Sequence, residues 1–172
     1  GAANRPPACV VGDGTHTIAQ LTEEVNKDPR RGFGHENVLT RIDIDDHTLK
    51  LLALKGLTPD SVPKKDEVVY LKATANLSTG GTADDVTEVV HPFNVFLAER
   101  ISRIIDLDIC GIDVMTDDIS IPLNESGGAV LEVNAAPGFR MHLDPTGGIG
   151  KNVAEPVVDM LFPPGTPSRI PI

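Results

Sequence analysis

The sequence predicts an α+β fold, with an antiparallel sheet flanked by helices. Short apolar runs typical of strands are mixed with segments whose apolar residues recur at helical spacing. Two of these runs, 109–115 and 129–133, are joined by a polar connection that contains Pro122 and Gly127-Gly128, which predicts an antiparallel hairpin. Paired strands late in the chain favour α+β over a doubly wound parallel sheet.

Composition excludes several classes of function. The chain has 172 residues, of which 40% are hydrophobic and 23% charged, as in ordinary soluble globular domains. Its net charge is −10 and only 3% of its residues are aromatic, so we expect no nucleic-acid partner. No apolar run approaches the ~20 residues of a membrane span, and the first residues lack the pattern of a signal peptide. We therefore expect a cytoplasmic protein with no membrane partner.

Two cysteines, Cys9 and Cys110, stand in apolar surroundings without a CxxC spacing or a nearby His pair. We expect both to be reduced, buried thiols, as is usual in the cytoplasm. A disulfide or a metal role is the alternative.

The first half of the chain predicts a strand followed by a helix. Residues 8–11 form an apolar, strand-like run. Thr15 is expected to cap a helix that ends before Pro29, because Pro disfavours helical backbone in the residue before it. The apolar positions of this helix are Ile18, Leu21 and Val25.

The segment 29–37 is Gly-rich and polar, which predicts a loop. Four charged or titratable residues in it, Arg30, Arg31, His35 and Glu36, are interpreted as solvated surface. A functional role for them is left open.

Later elements follow the same signals. Asp45 or Asp46 is expected to cap a short helix that closes at Gly56. The other expected elements are a linker at 58–67, a buried strand at 68–71, a helix that opens at His91-Pro92, and a helix at 153–162.

Three oxygen-bearing side chains interrupt the two late apolar runs. Asp113 lies in the first run, and Glu132 and Asn134 lie in the second. Because side chains alternate along a strand, Glu132 and Asn134 share a face, and Asp113 joins them if the strands pair. Two carboxylates and an amide oxygen are hard ligands suited to Mg²⁺. The alternatives are that an Arg or Lys pairs with the carboxylates, or that one of them faces solvent on an edge strand.

A series of segments resembles a known family. EVNAAPGF, preceded by GIDVM, resembles the C-terminal part of the ATP-grasp ligases, and ANLSTGGTA resembles the mobile substrate loop of those that add amino acids to carboxyl groups. Together with GDGTHTIAQL, NKDPRRGFGHE, LTRIDID and VDMLFPPGTPSRIPI, the series is similar to the ATP-grasp domain of the cyanophycin synthetases. The resemblance covers essentially the whole chain.

The resemblance implies an ATP-dependent acid–amino-acid ligase. In this family ATP phosphorylates the C-terminal carboxyl of a poly-aspartate (cyanophycin) primer, and the amine of L-aspartate then displaces phosphate. Asp113, Glu132 and Asn134 would hold Mg²⁺, with Glu132 also at the nucleotide. ATP and Mg²⁺ are thus the implied cofactors, and the parent enzyme is expected to be a homo-oligomer.

Further site residues follow from the resemblance. Lys72 is expected to reach phosphate, or else to be a surface lysine whose charged end extends into solvent. Asn76, Ser78, Gly80 and Gly81 are expected in the loop over the substrate, where glycines let backbone N–H groups approach oxyanions; a passive polar loop is the alternative. Ser78-Thr79 stand where glutamate-adding relatives carry His-Arg, so the role of that Arg does not transfer.

The turn after the second strand carries Arg140 and His142. Arg140 is expected to have a catalytic role in which it binds a substrate carboxylate. Ser78 is also expected to have a catalytic role. For His142, binding of a substrate carboxylate and a packing or capping role are equal alternatives.

Residues 1–172 are expected to be the C-terminal portion of an ATP-grasp domain, without the N-terminal subdomain that grips the nucleotide and without the Mur-ligase-like domain downstream. Such a chain is expected to fold but to catalyse nothing alone. Two rivals are a catalytically inactive module of ATP-grasp shape, and a ligase of the glutamate- or peptide-ligase type that adds another amino acid.

Overall fold

A computed structural model describes residues 1–33, 37–163 and 165. The chain divides into two compact units. The first unit is Asn4–Asp84, and the second is Gly1–Ala3 with the residues from Asp85 onward. Two short strands, β1 (Ala3–Asn4) and β6 (Asp84–Asp85), lie where the division falls. Each unit mixes helices with short strands, as the predicted α+β class requires.

The first unit is built on an antiparallel pair of strands. β2 (Cys9–Val11) pairs with β5 (Val68–Tyr70), with Val10 opposite Val69. Both of these valines are buried, whereas their neighbours along each strand are more exposed, because side chains alternate between the faces of a sheet. The buried core of this unit consists of Ala8, Val10, Ile18, Ile42, Leu52, Val69 and Leu71.

Helix α1 (Ile18–Val25) covers one side of this core. Thr17 is its N-cap, and Thr17 and Gln20 form a reciprocal capping box. The expectation that Thr15 caps the helix is wrong. Asp13 Oδ1 accepts the backbone N–H of Thr15 at 2.8 Å, which holds Thr15 in the preceding turn.

Helix α2 (Asp46–Leu54) begins after Asp45, one of the two predicted caps. The Asp45 carboxylate accepts the backbone N–H of Thr48 at 2.9 Å. The helix ends at Lys55, and Gly56 follows with φ +68°, the left-handed conformation that glycine adopts most readily.

The expectation of a loop throughout 29–37 is wrong in part. β3 (Arg31–Gly32) pairs in parallel with β4 (Leu39–Thr40), so one strand pair departs from the predicted antiparallel pattern. The pair is closed by Leu39 N–H donating to Arg30 C=O and by Arg41 N–H donating to Gly32 C=O, each at 2.9 Å. His35 and Glu36 lie outside the described residues.

In the second unit, helix α3 (Pro92–Ile105) begins where the sequence predicts, with the His91 side chain accepting the backbone N–H of Phe93. The buried Asn94 amide donates to the carbonyls of Ile119 and Ile121 at 2.9 Å each and accepts from Leu123 N–H at 2.8 Å. This one side chain therefore fastens the connection after β7 to α3.

The predicted hairpin is present. β7 (Gly111–Met115) and β8 (Ala129–Asn134) pair antiparallel. The remaining helices of this unit are α4 (Leu123–Ser126), α5 (Arg140–Leu143) and α6 (Ala154–Leu161). Within the described ranges, no helix combines the length and hydropathy needed to cross a bilayer.

Both cysteines are free thiols, as expected, but they are half-buried rather than buried. Burial raises the pKa of the Cys9 thiol, while the nearby Arg31 charge acts in the opposite direction.

Candidate functional site

Asp113 and Glu132 face each other across the β7–β8 hairpin. They are cross-strand partners, so their side chains project from the same side of the hairpin. Asn134 follows Glu132 by two residues and lies on that side too, where it is paired with Gly111. Its Nδ2 donates to Glu132 Oε1 at 3.1 Å. The structure thus brings the three predicted oxygen donors to one face of one hairpin.

The backbone around these donors is locally specialised. A Cβ added to Gly111 would lie 2.9 Å from Pro137 Cβ, so the position opposite Asn134 leaves no room for a side chain. After Asp113 the register shifts, because Val114 pairs with Val130 and Leu131 is left as an extra residue. A bulge of this kind bends a strand and re-aims the side chains beyond it.

The carboxylates are more accessible than the apolar sequence around them suggests. Asp113 is half-buried, while Glu132 and Asn134 are exposed, and Leu131 beside them is 58% exposed. Of the two alternatives to metal binding, a carboxylate facing solvent is the one that Glu132 matches. No third acidic, His or Cys side chain joins them among the residues that the structure describes. An ion held here would therefore need further oxygen ligands from phosphate or water.

Lys72 lies in the first unit, two residues after the end of β5, and is only 9% exposed. Its Nζ is 2.7 Å from Asp45 Oδ2 at the N-terminus of α2. The interpretation of Lys72 as a solvent-exposed surface lysine is therefore wrong. Hydrogen bonds from Lys72 and from Thr48 hold the pKa of the Asp45 carboxyl well below its usual range. Contact between Lys72 and a phosphate stays a prediction.

The predicted substrate loop also lies in the first unit and contains a 3₁₀ turn, Leu77–Thr79. Asn76 organises it: Oδ1 accepts Ser78 N–H at 3.0 Å, and the carbonyl accepts the N–H groups of Thr79 and Gly81 at 3.2 and 3.1 Å. Gly80 N–H donates to Leu77 C=O at 3.2 Å. The N–H groups of Gly80 and Gly81 were expected to face oxyanions. In this conformation they donate the hydrogen bonds that close the turn. The Asn76 and Ser78 side chains are exposed on it.

The two glycines of this turn are buried by close contacts. A Cβ on Gly80 would lie 2.6 Å from Ile42 Cγ1, and the residue has φ +93°. A Cβ on Gly81 would lie 2.8 Å from the Asn76 carbonyl oxygen and 3.0 Å from that of Pro6. Both positions therefore require glycine for packing, whatever they bind.

Arg140 begins α5, six residues after Asn134 in the sequence, and is exposed. His142, in the same helix, is half-buried, and its carbonyl accepts Lys151 N–H at 2.7 Å. These positions are compatible with the expected substrate-binding role of Arg140, which stays a prediction, and with a packing role for His142.

Sequence reasoning missed Arg31. It is half-buried, and its Nη1 donates to the Thr40 carbonyl at 2.6 Å and to the Gly80 carbonyl at 3.0 Å. The interpretation of Arg31 as solvated surface is therefore wrong. Arg30 matches that interpretation better, because it pairs with Asp28 at 2.8 Å on the surface. Nothing in the sequence distinguishes the two adjacent arginines.

No family model matches the chain. Among curated proteins, it is 58% identical to cyanophycin synthetase from Crocosphaera subtropica over 170 residues, covering 99% of this chain and 20% of the relative. The identity and coverage are the same for cyanophycin synthetase from Synechocystis sp.. The chain matches one segment of the cyanophycin synthetases. It spans about a fifth of the length of these relatives.

Glutathione-forming enzymes match the chain less closely. The bifunctional glutathione biosynthesis protein GshAB of Listeria innocua is 37% identical over 158 residues, which is 92% of this chain and 20% of the relative. Among solved structures, a bifunctional glutathione synthetase from Pasteurella multocida superposes with a TM-score of 0.78 at 36% identity, over 94% of this chain and 22% of that chain. This structural match confirms the predicted fold class. The sequence matches confirm the predicted resemblance to the cyanophycin synthetases.

Proposed function

We propose that this chain supplies the C-terminal portion of the ATP-grasp domain in a cyanophycin-synthetase-type ligase. The observation that carries the proposal is the placement of Asp113, Glu132 and Asn134 on one face of the β7–β8 hairpin. Support comes from 58% identity with cyanophycin synthetases along 99% of the chain. In this proposal the rest of the nucleotide site and the Mur-ligase-like domain belong to other segments of a longer enzyme. That enzyme is proposed to be a cytoplasmic homo-oligomer.

The donor set of the hairpin fits Mg²⁺. Asn134 uses its Nδ2 to donate to Glu132, which leaves its Oδ1 as the acceptor atom of the amide. Together with the two carboxylates it offers the hard oxygen ligands that Mg²⁺ prefers. When bound with ATP, the ion would offset negative charge on the phosphates as the γ-phosphoryl group is transferred.

The proposed reaction has two steps. A carboxylate oxygen at the C-terminus of a poly-aspartate primer bonds to the γ-phosphorus of ATP. The bond from this phosphorus to the oxygen that bridges the β- and γ-phosphates breaks, and ADP leaves. The amine of L-aspartate then attacks the acyl carbon, the carbon–oxygen bond to phosphate breaks, and the amine loses a proton as the amide forms. Arg140 would hold a substrate carboxylate, and the Ser78 hydroxyl would contact the substrate from the loop.

The residues of the first unit have their own proposed roles, in the substrate loop and at phosphate. Asn76, Gly80 and Gly81 shape the turn that carries Ser78. Lys72 already faces one carboxylate, Asp45, so contact with a phosphate would require it to share or exchange that partner. The positioning of the loop is therefore the more direct contribution of this region.

The proposal is tested in a full-length enzyme. Residues 1–172 of this chain replace the matching segment of the Synechocystis cyanophycin synthetase, and the chimera receives ATP, Mg²⁺, a poly-aspartyl primer and one amino acid at a time. Mass spectrometry of the primer is expected to show addition of aspartate. Addition of a different amino acid would replace the proposed substrate, and no addition with any amino acid, in a chimera that is folded, would overturn the proposal.

A second candidate is a ligase that adds another amino acid, since GshAB of Listeria innocua is 37% identical over 92% of the chain. The same experiment separates it through the mass added to the primer. The isolated chain is expected to turn over no ATP, and ATP hydrolysis by the purified chain would contradict that expectation.

A further inference from the structure

The turn Asn76–Gly81, which we call the 76–81 turn, is closed by its own hydrogen bonds. Asn76 accepts from Ser78, Thr79 and Gly81, and Leu77 accepts from Gly80. These bonds set the shape of the turn. They do not set where the turn lies on the first unit, because none of them leaves it.

Arg31 supplies a bond that does leave the turn. Its Nη1 donates both to the Gly80 carbonyl at 3.0 Å and to the Thr40 carbonyl at 2.6 Å. Thr40 belongs to β4, which pairs with the strand that carries Arg31. A charged donor forms stronger hydrogen bonds than a neutral one, and more so where water is partly excluded. Burial lowers the pKa of the Arg31 guanidinium, which nevertheless stays charged at neutral pH.

Packing against Ile42 also fixes the position of Gly80. The α-carbon of Gly80 lies against Ile42, so close that a Cβ would meet Ile42 Cγ1 at 2.6 Å. Ile42 is 3% exposed, and its backbone exchanges two hydrogen bonds with the Asn26 side chain, at 2.9 and 2.8 Å. Gly80 is thus held between a core residue and the Arg31 guanidinium.

We infer that Arg31 is a positioning residue, whose bridge between β4 and Gly80 fixes the 76–81 turn and with it the place where Ser78 is presented. The inference rests on the proposed function for its catalytic consequence but not for its structural one. Lysine cannot replace Arg31 fully, because an ammonium is a compact point charge without the planar donor geometry of the guanidinium.

The structural consequence is tested on the purified chain by NMR amide exchange. Arg31→Ala is expected to speed exchange of the Gly80 and Gly81 N–H groups by about tenfold or more, with Arg31→Lys intermediate, because the turn loses a hydrogen bond from a charged group. Exchange of Leu71 N–H, which donates to Ala8 C=O, is expected to stay unchanged. Arg30→Ala is the matched control, since it removes the same charge one residue away.

Unchanged exchange at Gly80 and Gly81 in Arg31→Ala would overturn the inference. An equal increase in Arg30→Ala would do so as well, because it would assign the effect to net charge. Neither result depends on whether the chain serves a ligase.

The catalytic consequence is tested in the chimera. Arg31→Ala is expected to lower kcat/KM for the poly-aspartyl primer about 10–100-fold, as a small displacement of a substrate-contacting loop can. Val25→Ala is the stability control, because Val25 lies on α1 and packs against the same core. Equal losses in the two variants would reduce Arg31 to a purely structural role. If the unsubstituted chimera adds no amino acid, the proposed function fails while the exchange experiment still tests the inference.

Discussion

The first unit closes around an apolar core, whereas the second unit leaves much of its apolar surface exposed. Ile18, Leu52 and Leu71 in the first unit are fully buried. In the second unit, among the described residues, only Asn94 and Leu123 are buried. The 76–81 turn therefore lies on the unit with the buried apolar core. The hairpin donors instead depend on strand pairing and on polar contacts such as those of Asn94.

This contrast predicts where substitutions are costly. Leu52→Ala is expected to lower the free energy of unfolding by about 2–5 kcal/mol, because it opens a cavity in the core of the first unit. Leu131→Ala removes the same atoms from a side chain that is 58% exposed. It is expected to change the free energy of unfolding by about 0.5 kcal/mol or less. Urea unfolding followed by circular dichroism measures both, and equal losses would contradict the contrast.

Gly80 extends the comparison to the 76–81 turn. Gly80→Ala is expected to cost about 1–3 kcal/mol, because the residue has φ +93° and the new methyl group would collide with Ile42. Gly56→Ala shares the positive φ, +68°, but meets no atom within 4 Å, so it reports the backbone cost alone. The difference between their unfolding free energies measures the collision. A Gly56→Ala loss as large as that of Gly80→Ala would show that Ile42 does not confine the turn.

The ion pair between Asp45 and Lys72 predicts a smaller, pH-dependent effect. In the folded state the pKa of Asp45 is lowered, first by Lys72 and second by Thr48. The ionised carboxylate therefore stabilises the fold at pH values above the unfolded pKa of about 3.9, and this contribution is lost as the pH falls below that value. Asp45→Asn keeps a capping side chain but loses the charge. Because Asp45 is 48% exposed, we expect a loss of only about 1 kcal/mol at neutral pH.

Unfolding free energies measured between pH 7 and pH 2 check this prediction. The difference between the unsubstituted chain and Asp45→Asn is expected to shrink as the pH falls. Asp46→Asn, the neighbouring substitution with the same charge change, serves as the control. A difference that is constant over the whole pH range would refute the assignment.

Local signals predicted most of the elements. The hairpin followed from two apolar runs joined by a polar connection, and α3 from the proline at its first position. The cap of α1 was misplaced by two residues because Thr15 and Thr17 are equivalent as sequence signals. Only the turn around Asp13, which engages Thr15, decides between them.

Some residues of the candidate site were predictable from the sequence and others were not. Asp113, Glu132 and Asn134 were predictable because strand alternation and pairing determine which side chains share a face. Arg31 was not, because its partner Gly80 is 49 residues away in sequence and accepts through its backbone, which leaves no trace in residue type. The burial of Lys72 against Asp45 was not predicted for a similar reason: it depends on the tertiary fold, which brings two residues 27 positions apart to within 2.7 Å.

The central claim is that Asp113, Glu132 and Asn134 form the metal-binding face of a ligase, and Glu132→Gln in the chimera tests it most directly. The measurement is primer-dependent ADP formation, with Glu125→Gln, an exposed carboxylate on α4, as the control of equal charge and volume change. We expect Glu132→Gln to lower the rate about 10²–10³-fold with an unchanged melting temperature, and Glu125→Gln to leave the rate as it was. An unchanged rate in Glu132→Gln would remove this hairpin from the reaction.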